Sequence, residues 1–190
     1  MFDEYGPATI CTNRPSGLSA SVLTIGAFDG VHAGHQALIC GAISRARHLG
    51  VPAVVWTFNP PPKVFFGRAN QLTPLAAKLS RISAFAPDLI VVSEFNSVFC
   101  ETSADTFMDN ISRIAPREIH VGGDFRFGAR QTGDVELLAT RFDVRIKPPI
   151  LCSAGEVVSS TRIRGLREQG LFDMAETLLS APSQQKELTL

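Results

Sequence analysis

The stretch Gly26-Ala27-Phe28-Asp29-Gly30-Val31-His32-Ala33-Gly34-His35 decides the fold. Before it lies a β-branched and apolar run, Val22 to Gly26. After it Leu38, Ala42, Ala46 and Leu49 recur at the spacing of one helix face, and Gly50 can take the left-handed stop. The segment therefore reads as strand, turn and helix. Two imidazoles three residues apart at a helix start project the same way, beside backbone N–H groups that have no helix partner and attract anions. Gly26, Gly30 and Gly34 remove the Cβ where backbone must approach a phosphate oxygen. The loop is a phosphate site with two side-chain donors. G-x-G-x-x-G is absent from the turn and no Gly-Lys-Ser/Thr follows it, which excludes the dinucleotide fingerprint and the P-loop. His32 and His35 alone supply only two ligands to a metal, and neither remaining histidine sits in an obvious partner motif.

Working outward, strands are expected at Ala53 to Phe58, Leu89 to Val92, Glu118 to Val121 and Val144 to Ile146. Three prolines, Pro60 to Pro62, make Asn59 to Thr73 a loop. Thr73 before Pro74 reads as a helix start, Ser103 caps a helix facing inward through Phe107, Ile111 and Ile114, and Asp134 begins another with Val135, Leu138 and Phe142. Ser159 and Ser160 precede two short helical patterns ending near Leu179. With the first strand this gives an α/β fold, Rossmann-like, with a mostly parallel five-stranded sheet and helices on both faces. In such sheets ligands bind outside the C-terminal strand ends, where the strand order reverses.

Eighteen basic residues against eighteen acidic give a formal charge of zero, which argues against binding nucleic acid or an anionic membrane. The 45% hydrophobic content supports a real core. Asp3 and Glu4 stand where an export signal needs Lys or Arg, and no apolar run reaches the roughly 18 residues of a spanning helix. Cys11, Cys40, Cys100 and Cys152 form no C-x-x-C pair and read as reduced thiols, so the expected location is cytoplasmic.

Four motifs in order resemble the FMN adenylyltransferase module of prokaryotic FAD synthetases, within the H-x-G-H nucleotidyltransferase superfamily. Gly26 to Gln36 is similar to G-x-F-D-G-V-H-x-G-H-Q, and Thr57-Phe58-Asn59-Pro60-Pro61-Pro62 to T-F-x-P-H-P. Val121 to Gly128 with Gly133-Asp134 resembles V-G-x-D-F-x-F-G…G-D, and Ser159 to Arg164 resembles S-S-T-x-I-R. Leu72-Thr73 with Lys78, and Phe107, are lesser echoes. The resemblance spans about Ser21 to Leu179.

The resemblance implies transfer of AMP from ATP to FMN, giving FAD and pyrophosphate with Mg²⁺. It makes His32, His35 and Arg164 catalytic. It puts Gly26, Phe28, Asp29, Gly34, Gly122, Asp124, Ser159, Ser160, Thr161 and Arg162 at the nucleotide, and Asn59, Phe65 and Phe127 at the flavin. The metal ligands stay open; Asp29 suits either Mg²⁺ or a loop amide. Residues 1–20 are expected to be an N-terminal extension, 21–180 the nucleotidyltransferase domain and 181–190 a polar tail, with no riboflavin kinase domain after it.

Pro61 departs from the family histidine, losing an imidazole and a backbone donor from a loop expected to face the substrates. It keeps two other readings open: another phosphorylated acceptor, or a catalytically weak flavin- or nucleotide-binding paralogue.

Overall fold

A computed structural model describes residues 8–12 and 17–180. Its strands are β1 (Thr9–Cys11), β2 (Ser21–Ile25), β3 (Ala53–Asn59), β4 (Leu89–Glu94), β5 (Pro116–Gly122) and β6 (Val144–Lys147). All pair in parallel, in the order β1-β4-β3-β2-β5-β6. The sheet thus has six strands and not the expected five. The added one, β1, pairs with β4 at the sheet edge and lies inside the stretch expected to be an extension. Three residues are too few for a period to show in the sequence. The expected tail, residues 181–190, lies outside the described residues.

The helices are α1 (Ala33–Leu49), α2 (Pro62–Phe65), α3 (Leu75–Ser83), α4 (Ser97–Cys100), α5 (Ala104–Ser112), α6 (Val135–Ala139), α7 (Ser160–Glu168) and α8 (Phe172–Ser180). Gly50 closes α1 at φ 62°, in the left-handed region. Ser103, Asp134 and Ser159 cap α5, α6 and α7, each accepting a backbone N–H three residues on. Thr73, expected to start a helix, does not cap α3. Pro74 holds that position, and the Thr73 hydroxyl accepts from Gly30 N instead.

Two cores follow from the period of two along each strand. Val22, Val55, Ile90 and Val92 pack on one face with Ile39, Ala42 and Ile43 of α1 and with Leu79 and Ile82 of α3. Leu23, Ile25, Val54, Trp56 and Val91 turn to the other face, against Phe107, Met108 and Ile111 of α5 and Leu138 of α6. Trp56 is fully buried, stacks on Phe107 and donates Nε1–H to Ser93 Oγ at 2.8 Å. Truncating a buried tryptophan of this kind costs about 3–5 kcal/mol. A third cluster joins Ala33 and Leu72 to Val158, Ile163 and Leu178, so α7 and α8 pack beside the start of α1.

From β2 the chain moves outward through β3 to β4, whereas β5 and β6 extend the other way. The reversal falls between β2 and β5. The loops after those two strands, Gly26 to His32 and Gly122 to Gly128, flank the crevice where a ligand binds in such sheets.

Candidate active site

The loop from Gly26 to His32 is strained. Phe28 and Val31 hold φ of 47° and 48°, in the left-handed region, and Gly30 holds 89°. For a β-branched residue such as Val31 this costs on the order of 1–2 kcal/mol, so surrounding contacts must impose it. Asp29 supplies them. Its buried carboxylate accepts from Leu72 N (3.0 Å), Thr73 N (3.2 Å) and Arg164 Nη2 (2.6 Å). Ser160 Oγ donates to the Asp29 carbonyl at 2.9 Å, and Arg81 donates to the Gly30 carbonyl at 2.9 Å. Segments far apart in sequence therefore lock one turn.

On that turn the rings of His32 and His35 stack, centroids 3.7 Å apart and 22° between planes. His32 is the N-cap of α1 but makes no side-chain cap bond, and the first turn carries no acidic residue. The leading amides of α1 have no helix partner. Burial pushes His32 down to about 4, with Asp29 opposing and Arg164 assisting. Burial also holds His35 well below its ordinary value, helped by the charges of His32, Lys78 and Arg164. Both rings are neutral at pH 7, so each carries one N–H donor. In each, Nδ1 is sealed from solvent without a hydrogen-bond partner. Paired neutral imidazoles over free amides suit an anion, whose charge would raise both rings toward protonation.

Of the residues expected at the nucleotide, Gly34, Asp29 and Ser160 gather around the two histidines, as does Arg164, expected to be catalytic. A Cβ on Gly34 would sit 3.3 Å from the His32 ring and 3.4 Å from the Val158 carbonyl. Arg164, 9% exposed, donates Nε–H to Asn70 O at 2.7 Å as well as Nη2 to Asp29, which leaves Nη1 free of described partners. Ser159 is spent as the α7 cap and Thr161 accepts from Lys63 Nζ at 3.3 Å. Phe28 is fully buried in the core, edge-on to His35 at 5.3 Å, so only its backbone can meet a ligand. The Arg162 side chain is turned aside: it pairs with the Glu156 carboxylate and donates to Cys152 Sγ. Gly26, Gly122 and Asp124 lie at the ends of β2 and β5; a Cβ on Gly122 would meet Asp124 Oδ1 at 2.9 Å.

Asp29 does not fit a metal, because its oxygens are already taken by two amides and a guanidinium. Among the described residues no group of three His, Cys, Asp or Glu could hold an ion.

Beside the phosphate loop lies a cavity of about 480 Å³, walled by Phe58, Phe95, Phe99, Phe107, Phe125 and Phe127, with Arg68, Arg126 and Arg130 also lining it. That volume and an apolar lining with a few polar groups are typical of small-molecule sites. Phe127 is buried and stacks between Phe107 (5.2 Å) and Phe125 (5.6 Å). Phe65, expected at the flavin, packs on Phe66 and Phe95 instead of lining the cavity; Phe66 lines it. Asn59 ends β3 without lining it, and its carbonyl accepts from Phe95 N. Pro61 is buried and its carbonyl accepts from Val64 N and Phe65 N, so the ring that replaces the family histidine is packed inward as the lead into α2. Sequence reasoning missed Phe58, Phe95 and Phe99. The available signal was the 13 phenylalanines against one tyrosine and one tryptophan.

The sequence profile of the FAD synthetase family matches residues 15–162. The chain belongs to the FAD synthetase family. It is 42% identical over 170 residues to a Geobacillus thermodenitrificans protein whose name joins riboflavin kinase to FMN adenylyltransferase, covering 90% of this chain and 95% of that one. It is 36% identical to the bifunctional riboflavin kinase/FMN adenylyltransferase of Pseudomonas fluorescens, covering 85% of this chain but only 54% of the relative. The crystal structure of a macrolide-efflux protein from Streptococcus pneumoniae superposes with a TM-score of 0.78 at 30% identity, over 92% of this chain and 62% of that one. Among the described residues of this FAD synthetase family member, no helix is long and apolar enough to cross a membrane.

Proposed function

We propose that this chain is an FMN adenylyltransferase, transferring AMP from ATP to the phosphate of FMN to give FAD and pyrophosphate. The observation that carries this reading is adjacency. An aromatic cavity suited to a flat ring opens beside a turn suited to a triphosphate, and Thr57-Phe58 belongs to both: Thr57 Oγ1 donates to the Ala27 carbonyl at 3.0 Å while the Phe58 ring walls the cavity.

In this reading an oxygen of the FMN phosphate attacks the α-phosphorus of ATP in line, the bridging P–O bond to the β-phosphorus breaks, and pyrophosphate leaves with that electron pair. No covalent nucleophile is needed, and the protein's task is to position two phosphates and stabilise their charge. His32, His35 and the leading amides of α1 donate to the triphosphate, and Arg164 offers its remaining Nη1. Asp29 and Ser160 hold the turn in shape. Magnesium is proposed only as the ion that arrives on the triphosphate. The arginines lining the flavin cavity favour a phosphorylated over an uncharged flavin.

Incubating the purified protein with ATP, Mg²⁺ and FMN should produce FAD and pyrophosphate in equal amounts. Pyrophosphate release only with a different phosphorylated acceptor would replace FMN in this reading. Tight FMN binding without turnover would make the chain a binding protein.

A further inference from the structure

Lys78 lies with no solvent exposure on α3, the helix that contributes Leu79 and Ile82 to the core. Its ammonium donates to the Phe58 carbonyl at 2.7 Å and to the Ala27 carbonyl at 3.2 Å. Those two carbonyls belong to different halves of the site: Ala27 opens the phosphate turn, and Phe58 walls the aromatic cavity. The Ala27 carbonyl already accepts from Thr57 Oγ1, so satisfying it does not require a charge. A lysine kept out of water against that cost needs another reason, because burial disfavours the charged form. Burial lowers Lys78 to about 8, opposed by Asp29. At pH 7 it remains an ammonium, one fixed positive charge held on the Ala27 and Phe58 carbonyls.

We propose that Lys78 is a positioning residue for the transfer, a buried brace that ties the phosphate turn to the wall of the aromatic cavity and so sets donor against acceptor. This rests on the functional reading above. The brace acts through carbonyls and not on substrate, so its effect belongs in turnover more than in binding. Its charge also bears on His35, where it disfavours protonation. Of the charged and titratable groups, Asp29 of the turn acts on Lys78, and Lys78 acts on His35 of α1.

The test compares wild type, Lys78→Met and Lys78→Arg by steady-state FAD formation and by NMR titration of the His35 ring without substrates. Lys78→Met should lower kcat on the order of 10- to 100-fold, as small misplacements do, while both KM values move less than about threefold. Lys78→Arg should recover part of kcat. The His35 titration should move upward in Lys78→Met and stay low in Lys78→Arg. A folded Lys78→Met with wild-type kcat, or a His35 titration that it leaves unmoved, would overturn the proposal. Should Lys78→Met not fold, Lys78→Gln, which removes the charge but keeps a polar end, bears the same expectations. Absence of FAD from the wild type would sink the functional reading, and the His35 titration would still decide the coupling to Lys78.

Discussion

Asp29 and Arg164 meet at 2.6 Å across 135 residues of chain, the aspartate residue 2% exposed and the arginine 9%. The carboxylate that shapes the phosphate turn is thereby held from α7, and the arginine that offers a donor to phosphate is oriented by that carboxylate. Turn and helix form one unit.

Asp29→Asn should therefore destabilise the fold by about 3–5 kcal/mol, because it leaves the Arg164 charge buried without its partner. Urea unfolding at pH 7 measures this. A loss below about 1 kcal/mol would show that the pair is dispensable to the turn.

His32→Ala and His35→Ala should each lower kcat for FAD formation by about 10²–10³, the usual cost of one donor aimed at developing charge. Circular dichroism should stay at the wild-type spectrum, since His32 caps α1 without a side-chain cap bond, His35 lies in its first turn and neither is in the sheet. Near-wild-type turnover by either variant would remove the histidines from the chemistry.

Acid should weaken the fold before carboxylates titrate. With His32 at about 4 when folded and near 6.5 when unfolded, the unfolded chain binds the extra proton between those values. Stability contributed by the neutral ring is thus complete above pH 6.5 and lost as pH falls toward 4, on the order of 3 kcal/mol in all. His35 is lowered in the same direction. Unfolding midpoints at pH 7 and pH 5 should differ by more in the wild type than in His32→Ala; an equal difference would contradict this.

Gly133→Ala should damage flavin binding selectively. Its new Cβ would lie 2.4 Å from the Phe127 ring, which is wedged between Phe107 and Phe125 and must shift into the cavity wall. The KM for FMN should rise about tenfold, a loss of roughly 1.4 kcal/mol, with the KM for ATP within about twofold of wild type. Equal changes in both constants would indicate a general loss of fold.

Much of the architecture was legible because it is local. The spacing of Leu38, Ala42, Ala46 and Leu49, the Gly50 stop and the caps Ser103, Asp134 and Ser159 are all settled within a few residues of chain. The strand β1 and the four-residue helices α2 and α4 were not, since such short elements owe their existence to pairing and packing. The site divides in the same way. His32 and His35 share a turn and could be read together. The Asp29 contacts reach Leu72, Thr73 and Arg164, and the aromatic cavity draws on β3, on the loop after β4 and on residues 125–127, so neither has a local pattern. Arg162 turned away because Glu156 and Cys152 lie within its reach, a choice that S-S-T-x-I-R does not encode.

The most direct test is a crystal structure with α,β-methylene ATP, which cannot transfer its adenylyl group. The triphosphate should lie over the first turn of α1, with phosphate oxygens within about 3 Å of both imidazoles and of the leading amides. A triphosphate bound elsewhere, or one that leaves His32 and His35 stacked and untouched, would contradict it.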